Sequence, residues 1–444
     1  MTALVKVLVR SKSDADAIKS SLRRFVGREV SVDTFKGARE LRDVDLELRR
    51  HLSFKGLVVV MLGLEDRNAL ELEPSYPDNF VFHLVPKAKV RNERPHRLLQ
   101  HYLEAKAEFR MRMAWRPELS AYTLTRDGLA LEGWEVNPRF DVYLPSEGVV
   151  KSLKKLGVAS PGLVVKQLRG LHAVYSGPWR VAELSFSDVG AHVEVERRSL
   201  RRTQVAGLDV HVEVNRGTIS RLEQASLNYL SSFDVDHVVV PWSGGKDSTA
   251  ALLLALKCFG KKTTPLFLDT GLEFRETVDY VEELSRKLGF SYDRVRVKVK
   301  EALMEGLKPL PSHDDRWCTA MKMEAVEGYV RELSKNGEAL VVVGDREAES
   351  EARLMRPATM DHGGYLEAAP LKLWAAIHVQ LYLALRGVPV NKMYEYGFFR
   401  VGCYICPALR SWELKLMLEE PRLSYLKDDE LFQLFTSRRR ATST

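Results

Sequence analysis

Residues 243–248 read Ser-Gly-Gly-Lys-Asp-Ser, directly after the apolar run His237–Trp242 and directly before Thr249–Leu256, a stretch of strong helix formers. A strand, a Gly-rich turn and a helix start make an anion cradle. Gly244 and Gly245 let the backbone approach phosphate oxygens, and the unpaired N–H groups of the first helical turn point at them. Lys246 adds a point charge, and Ser243 and Ser248 add hydroxyl donors. The spacing excludes the other common phosphate loop, in which four residues separate Gly from Gly-Lys-Ser/Thr. A plain Gly-rich turn is the competing reading. Further along, Arg346 and Arg353 have the fork geometry that grips phosphate or sulfate bidentately; surface pairing with Glu347, Glu349 and Glu351 is their alternative. Asp247 and Asp269 are placed to hold Mg²⁺ bridging phosphates, with helix capping an equal alternative for Asp247. The four cysteines are too few for a disulfide scaffold, so their placement is read for metal or redox chemistry. Cys403 and Cys406 form a C-x-x-C before Pro407, and Cys318 precedes them. His313, five residues before Cys318, makes a Cys₃His zinc site one candidate. Cys258 lies within the helix after the loop and reads as core.

Five segments in order resemble the phosphoadenosine phosphosulfate (PAPS) reductase family, part of the PP-loop ATP-pyrophosphatase group. They are the Ser243–Ser248 loop; Asp269-Thr270-Gly271 through Phe274, Glu276 and Thr277; Arg316-Trp317-Cys318-Thr319 with Lys322; Gly344-Asp345-Arg346 with Glu349, Ser350 and Arg353; and Pro370 to Pro407 with Gly402-Cys403 and Cys406. The resemblance covers about residues 235–410. It implies a nucleotide site built from Ser243, Gly244, Gly245, Lys246, Asp247, Ser248, Asp269, Thr270, Gly271, Gly344, Arg346, Ser350 and Arg353, with Lys246, Asp247, Arg346 and Cys318 as catalytic candidates. It also implies a [4Fe–4S] cluster on Cys318, Cys403 and Cys406, one thiolate short of the family's Cys-Cys plus C-x-x-C set, leaving one open iron. Reductases of the family attack with a cysteine near the C-terminus, in Glu-Cys-Gly-x-His. Residues 423–444 hold no cysteine, so another thiol is required. Two activities follow as expectations. One is reduction of PAPS or adenosine phosphosulfate (APS) to sulfite with a thioredoxin-like reductant. The other is ATP- and Mg²⁺-dependent sulfur transfer to tRNA. A non-catalytic nucleotide-binding protein is the third.

Positioning these residues requires a parallel sheet. From residue 217 onward, short buried strands at 237–242, 264–268, 293–299 and 340–343 alternate with helices at 247–259, 275–288 and 322–334. The pattern predicts a doubly wound α/β domain over 217–444, with its ligand at the carboxyl ends of the strands. Ahead of it, residues 1–145 read as a small α/β domain with strands at 5–10, 29–35 and 57–62. Residues 146–216 read as a β-rich module with Lys151, Lys154, Lys155, Lys166, Arg169 and Arg180. A basic helix over 92–115, with Arg94, Arg97, Lys106, Arg110 and Arg112, reads as a solvated face or an RNA-binding surface. Of the net charge of +7, residues 1–230 carry +8, from 37 basic and 29 acidic residues. That balance fits tRNA as a partner or an ordinary solvated surface. With 444 residues, 45 % of them apolar, two or three domains are expected. The longest apolar stretches are too short to span a bilayer and no signal-peptide core is evident, so a cytoplasmic protein is expected.

Overall fold

The computed structural model describes residues 3–188 and 190–441. The first sheet is four-stranded and parallel, in the order β2 (Val30–Thr34), β1 (Val5–Val9), β3 (Leu57–Leu62), β4 (Phe80–Leu84). Period-2 alternation divides β3 between two cores. Leu57, Val59 and Met61 face α1 (Lys12–Ser21), whereas Val58, Val60 and Leu62 face α2 (Leu41–Arg49). Strand β4, which the sequence reading did not anticipate, follows Pro77-Asp78-Asn79 at the sheet edge.

The expected basic helix forms as α3 (Pro95–Arg110), with proline at its start where the missing N–H costs nothing. Its basic face is neither solvated nor free for RNA throughout. Lys106 and Arg110 are fully buried, and both pair with Glu347, at 2.5 and 2.8 Å. Arg112 is largely buried among Glu73 and Asp78. Helical periodicity cannot tell a face turned to water from one turned to a second domain.

After the hairpin β5 (Ala114–Arg116) and β6 (Ala121–Thr123), a five-stranded antiparallel sheet runs in the order β11-β10-β9-β8-β7: Val193–Arg197, Trp179–Phe186, Leu171–Ser176, Leu163–Lys166 and Asp141–Tyr143. The β-rich module therefore begins at 141, not 146. It also contains a helix, α4 (Glu147–Lys155), capped by Ser146. Lys166, expected on a basic surface, donates to the Glu349 carbonyl at 3.0 Å. Helix α5 (Leu208–Leu230) begins nine residues before the domain start expected at 217.

The C-terminal sheet contains the four predicted strands, β14 (Asp293–Arg296), β13 (Thr263–Asp269), β12 (His237–Pro241) and β15 (Ala339–Val342), and adds two that were not expected, β17 (Leu366–Ala368) and β16 (Thr359–Asp361); all are parallel except the edge strand β16. Helix α6 (Lys246–Phe259) follows β12 and α7 (Arg275–Leu288) follows β13. The short α8 (Val299–Met304) ends the fourth segment, and α9 starts at Trp317 rather than 322 and runs to Leu333. Val238 and Val240 of β12 share one continuous core with β1, β3, α3 and α5. No helix among the described residues is long and apolar enough to cross a membrane.

Candidate nucleotide and thiol site

Strand β12 ends under Trp242, a buried indole that donates to Thr249 Oγ1 at 3.0 Å. The chain turns at Gly244, whose φ of +70° suits glycine. A Cβ there would stand 3.1 Å from Thr277 and 3.2 Å from Val281 of α7. Gly245 then opens α6 with no side-chain cap. Ser243 and Ser248 hydroxyls lie 3.1 Å apart, and Ser248 Oγ donates to the Gly245 carbonyl at 3.0 Å. The Lys246 N–H donates to the Tyr394 hydroxyl at 3.0 Å. Asn391, capping the short helix Lys392–Glu395, donates to the Gly244 carbonyl (3.3 Å) and to Thr277 (3.1 Å). A segment almost 150 residues away thus fastens the loop.

Behind the loop lies a chain of alternating charges. Asp247 accepts from Lys246 Nζ at 2.6 Å and from Arg346 Nε at 2.5 Å, and Arg346 Nη1 donates to Asp141 at 2.9 Å. Burial opposes ionisation of Asp247, but Arg346 and Lys246 outweigh it and hold its pKa at about 2. Burial likewise works against the charge on Lys246, and Asp247 reverses this, so the ammonium is kept. Gly344 lets the strand β15 connection lie against the loop, since a Cβ would stand 2.7 Å from the Asp247 backbone. Arg346 is 2 % exposed and held between two carboxylates. It therefore braces the loop rather than facing the cavity described below. Asp141, from the β-rich module, carried no local signal in the sequence.

The remaining candidates divide between the cavity and its surroundings. Arg353 pairs with Asp345 at 3.1 Å and with Glu349, and Ser350 caps the turn that carries it. Glu351 pairs with Arg139 instead. Asp269, at the end of β13, accepts from Arg294 (2.7 Å), Arg296 (2.8 Å) and the Gly271 N–H (2.9 Å), so both its oxygens are engaged. Burial would raise its pKa; these donors lower it instead. Thr270 donates to Glu273 at 2.6 Å.

Between the loop and the ends of β12 and β13 lies a cavity of about 110 Å³, bordered by Trp242, Ser243, Glu273, Thr277, Lys322 and Cys403. Cys403 joins the strand-end loop through a bridge to Glu273. Its sulfur lies 3.5 Å from Lys322 Nζ and 3.7 Å from Thr270 Oγ1. Burial pushes this thiol up to about 11, against the pull of Lys322. Cys406 follows in a turn closed by its N–H to the Cys403 carbonyl at 3.1 Å. Cys318 lies one helical turn before Lys322 on α9, and all three cysteines pack against the same apolar cluster. Among the described residues, no three of these thiols and His313 bring their ligand atoms within 4.8 Å of one another. Tetrahedral zinc would need sulfurs about 3.8 Å apart, given bonds near 2.3 Å; an iron–sulfur cluster, itself several ångströms across, spans wider thiols.

A Gly-rich turn between a parallel strand and a helix without a side-chain cap, at the carboxyl edge of the sheet, is the plan of a PP-loop-like fold. Residues 237–409 match the phosphoadenosine phosphosulfate reductase domain. An uncharacterised protein of Methanocaldococcus jannaschii is 38 % identical over 194 residues, covering 42 % of this chain and 39 % of that protein. An adenosine 5'-phosphosulfate reductase of a Chelativorans species is 29 % identical over 168 residues, covering 37 % of this chain and 66 % of that one. The PAPS reductase of Candida auris, solved with phosphate, aligns at a TM-score of 0.34 and 21 % identity, over 46 % of this chain and 99 % of its own. This chain spans about two fifths of the length of the archaeal relative.

Proposed function

We propose that the C-terminal domain binds an adenine nucleotide with its phosphate on Ser243–Ser248 and carries out sulfur chemistry on it, most simply the reduction of PAPS or APS to sulfite. One observation carries this reading. Cys403 and Lys322 border the same cavity as Ser243 of the loop, so a sulfur atom, a cation and a phosphate cradle converge. The loop's backbone N–H groups and Lys246 hold the phosphate, and Lys322 partly offsets the burial that raises the Cys403 thiol and balances the sulfonate. The thiolate attacks the sulfonate sulfur. An S–S bond forms as the S–O bond to phosphate breaks, and the nucleoside phosphate leaves. A second thiol, Cys406, attacks the Cys403 sulfur, releasing sulfite and leaving a disulfide that an external dithiol of the thioredoxin kind reduces.

A second reading draws on the Ser-Gly-Gly-Lys-Asp-Ser loop, complete enough to take a departing pyrophosphate, and on the N-terminal half packed against it through Asp141. This is ATP- and Mg²⁺-dependent sulfur transfer to tRNA. Here Cys318, Cys403 and Cys406 would hold a [4Fe–4S] cluster, with Lys322 offsetting its negative charge. Such a cluster would supply iron able to bind sulfide.

The test is sulfite release from APS and PAPS by anaerobically purified protein with a dithiol reductant. Release is expected, and expected to vanish in Lys246→Ala and Cys403→Ser. Release that persists in Lys246→Ala overturns the loop's role. No release from iron-loaded protein, with ATP consumed in the presence of tRNA, favours the second reading.

A further inference from the structure

The N-terminal domain holds a cluster that the nucleotide site does not use. His83 is buried on β4, and His101 and Glu104 stand one turn apart on α3, which packs against that strand. His83 Nε2 lies 3.0 Å from His101 Nδ1 and 3.7 Å from Glu104 Oε2, and His101 Nδ1 lies 3.4 Å from the same oxygen. Three atoms bound to one tetrahedral ion at about 2.0–2.1 Å are about 3.3 Å apart. The observed triangle brackets that edge. The two distances to Glu104 are longer than the usual hydrogen bond of about 2.7–3.2 Å, so the carboxylate stands where it would share an ion with the rings.

We propose that His83, His101 and Glu104 bind a divalent transition metal ion of the Zn²⁺ class. Two neighbours support this arrangement. Glu108 Oε1 lies 2.9 Å from His83 Nδ1. This is the carboxylate–histidine contact that turns the other ring nitrogen toward a metal, and removing such a partner commonly costs about 10–100-fold in affinity. Gln100 donates to Glu104 Oε1 at 3.0 Å, leaving Oε2 facing the two rings. Glu104 and Glu108 are 38 % and 37 % exposed at their side chains, which gives the ion an entry path and a water as fourth ligand. Imidazole and carboxylate without thiolate suit Zn²⁺ and its neighbours in the first transition row. Among the described residues, this is the one set of three such side chains with ligand atoms within 4.8 Å of one another.

Co²⁺ is the probe, titrated into the full-length, chelator-stripped protein. Ions on the cysteines announce themselves by thiolate-to-metal charge transfer in the near ultraviolet, which an N₂O site lacks. The expected result is one equivalent of Co²⁺ with visible d–d absorption and no thiolate signature, displaced by Zn²⁺. It should be lost in His101→Ala and weakened at least about tenfold in Glu108→Gln. Glu104→Gln, at a part-exposed position, guards against a folding defect. With native circular dichroism, it too should lose the band. A wild-type protein without the thiolate-free band overturns the proposal, as does a band that survives in His101→Ala or Glu104→Gln.

Discussion

Two junctions in this molecule have the same local plan, a parallel strand leading into a helix, yet only one of the two helix starts is capped by its own side chain. Where β1 meets α1 the connection is Arg10-Ser11. Ser11 Oγ caps the helix by accepting the Asp14 N–H, and Asp14 in turn takes Arg91 at 3.2 Å. The helix end is thereby closed by the chain itself. Where β12 meets α6, Gly244 takes the left-handed turn, Gly245 offers no cap, and the nearest carboxylate, Asp247, is drawn back by Arg346. At this helix start the Lys246 N–H is met by the neutral Tyr394 hydroxyl, so what the junction lacks is an anionic acceptor of its own.

The contrast can be broken at four points. The largest effect is expected behind the α6 junction. Glu347→Ala leaves Lys106 and Arg110 buried without their shared carboxylate, and should cost about 3–5 kcal/mol of stability in urea unfolding. Lys106 would keep Glu29 at 3.8 Å and Arg110 the Pro138 carbonyl. In the N-terminal sheet, breaking the comparable pair Arg10–Asp66 strands one cation and leaves it Glu65 closer, at 3.2 Å, so Asp66→Ala should cost less.

Next comes pH. The Asp247 carboxylate is depressed to about 2 in the folded chain, against about 3.9 unfolded. Its contribution, on the order of 2 kcal/mol, is present above pH 4 and lost as pH falls toward 2. Glu29 behaves oppositely. Burial raises it to about 6, so its contribution is full below about pH 4.5 and lost as pH rises through 6. Asp247→Asn should flatten the acid limb of a stability–pH curve, and Glu29→Gln the limb near neutrality.

Gly244→Ala should weaken nucleotide binding by about tenfold, read by calorimetry, since a left-handed alanine costs about 1–2 kcal/mol before its close contacts with Thr277 and Val281. Smallest of all, Ser11→Ala should lower the melting free energy by about 1 kcal/mol and leave nucleotide binding unchanged.

The same contrast explains what was legible in the residues. The loop and the strands on either side follow local rules of turn chemistry and alternation, and they fell within a few residues of their places. Asp141 reaches Arg346 across 205 positions, and Lys106 reaches Glu347 across 241. No period or spacing encodes such a pairing, so the cations of α3 read as surface. Arg346, expected to grip the ligand, lies buried between Asp247 of its own domain and Asp141 of the β-rich module, and the second of these partners could not be read locally. Asp269 differs. Arg294 and Arg296 lie on the neighbouring strand, and the alternation Asp293-Arg294-Val295-Arg296 could have shown that two guanidinium groups would project to one side.

The charged seam through Glu347 and Asp141 also makes the nucleotide domain non-portable. A fragment beginning near residue 217 would carry Glu347 stripped of both its cations and Arg346 stripped of one of its two carboxylates, so its failure would say nothing about whether the N-terminal half touches a substrate. Conversely, amide protons of α3 and of the loop at 243–248 should exchange in one cooperative event, as a single foldon drawn from two segments far apart in the chain.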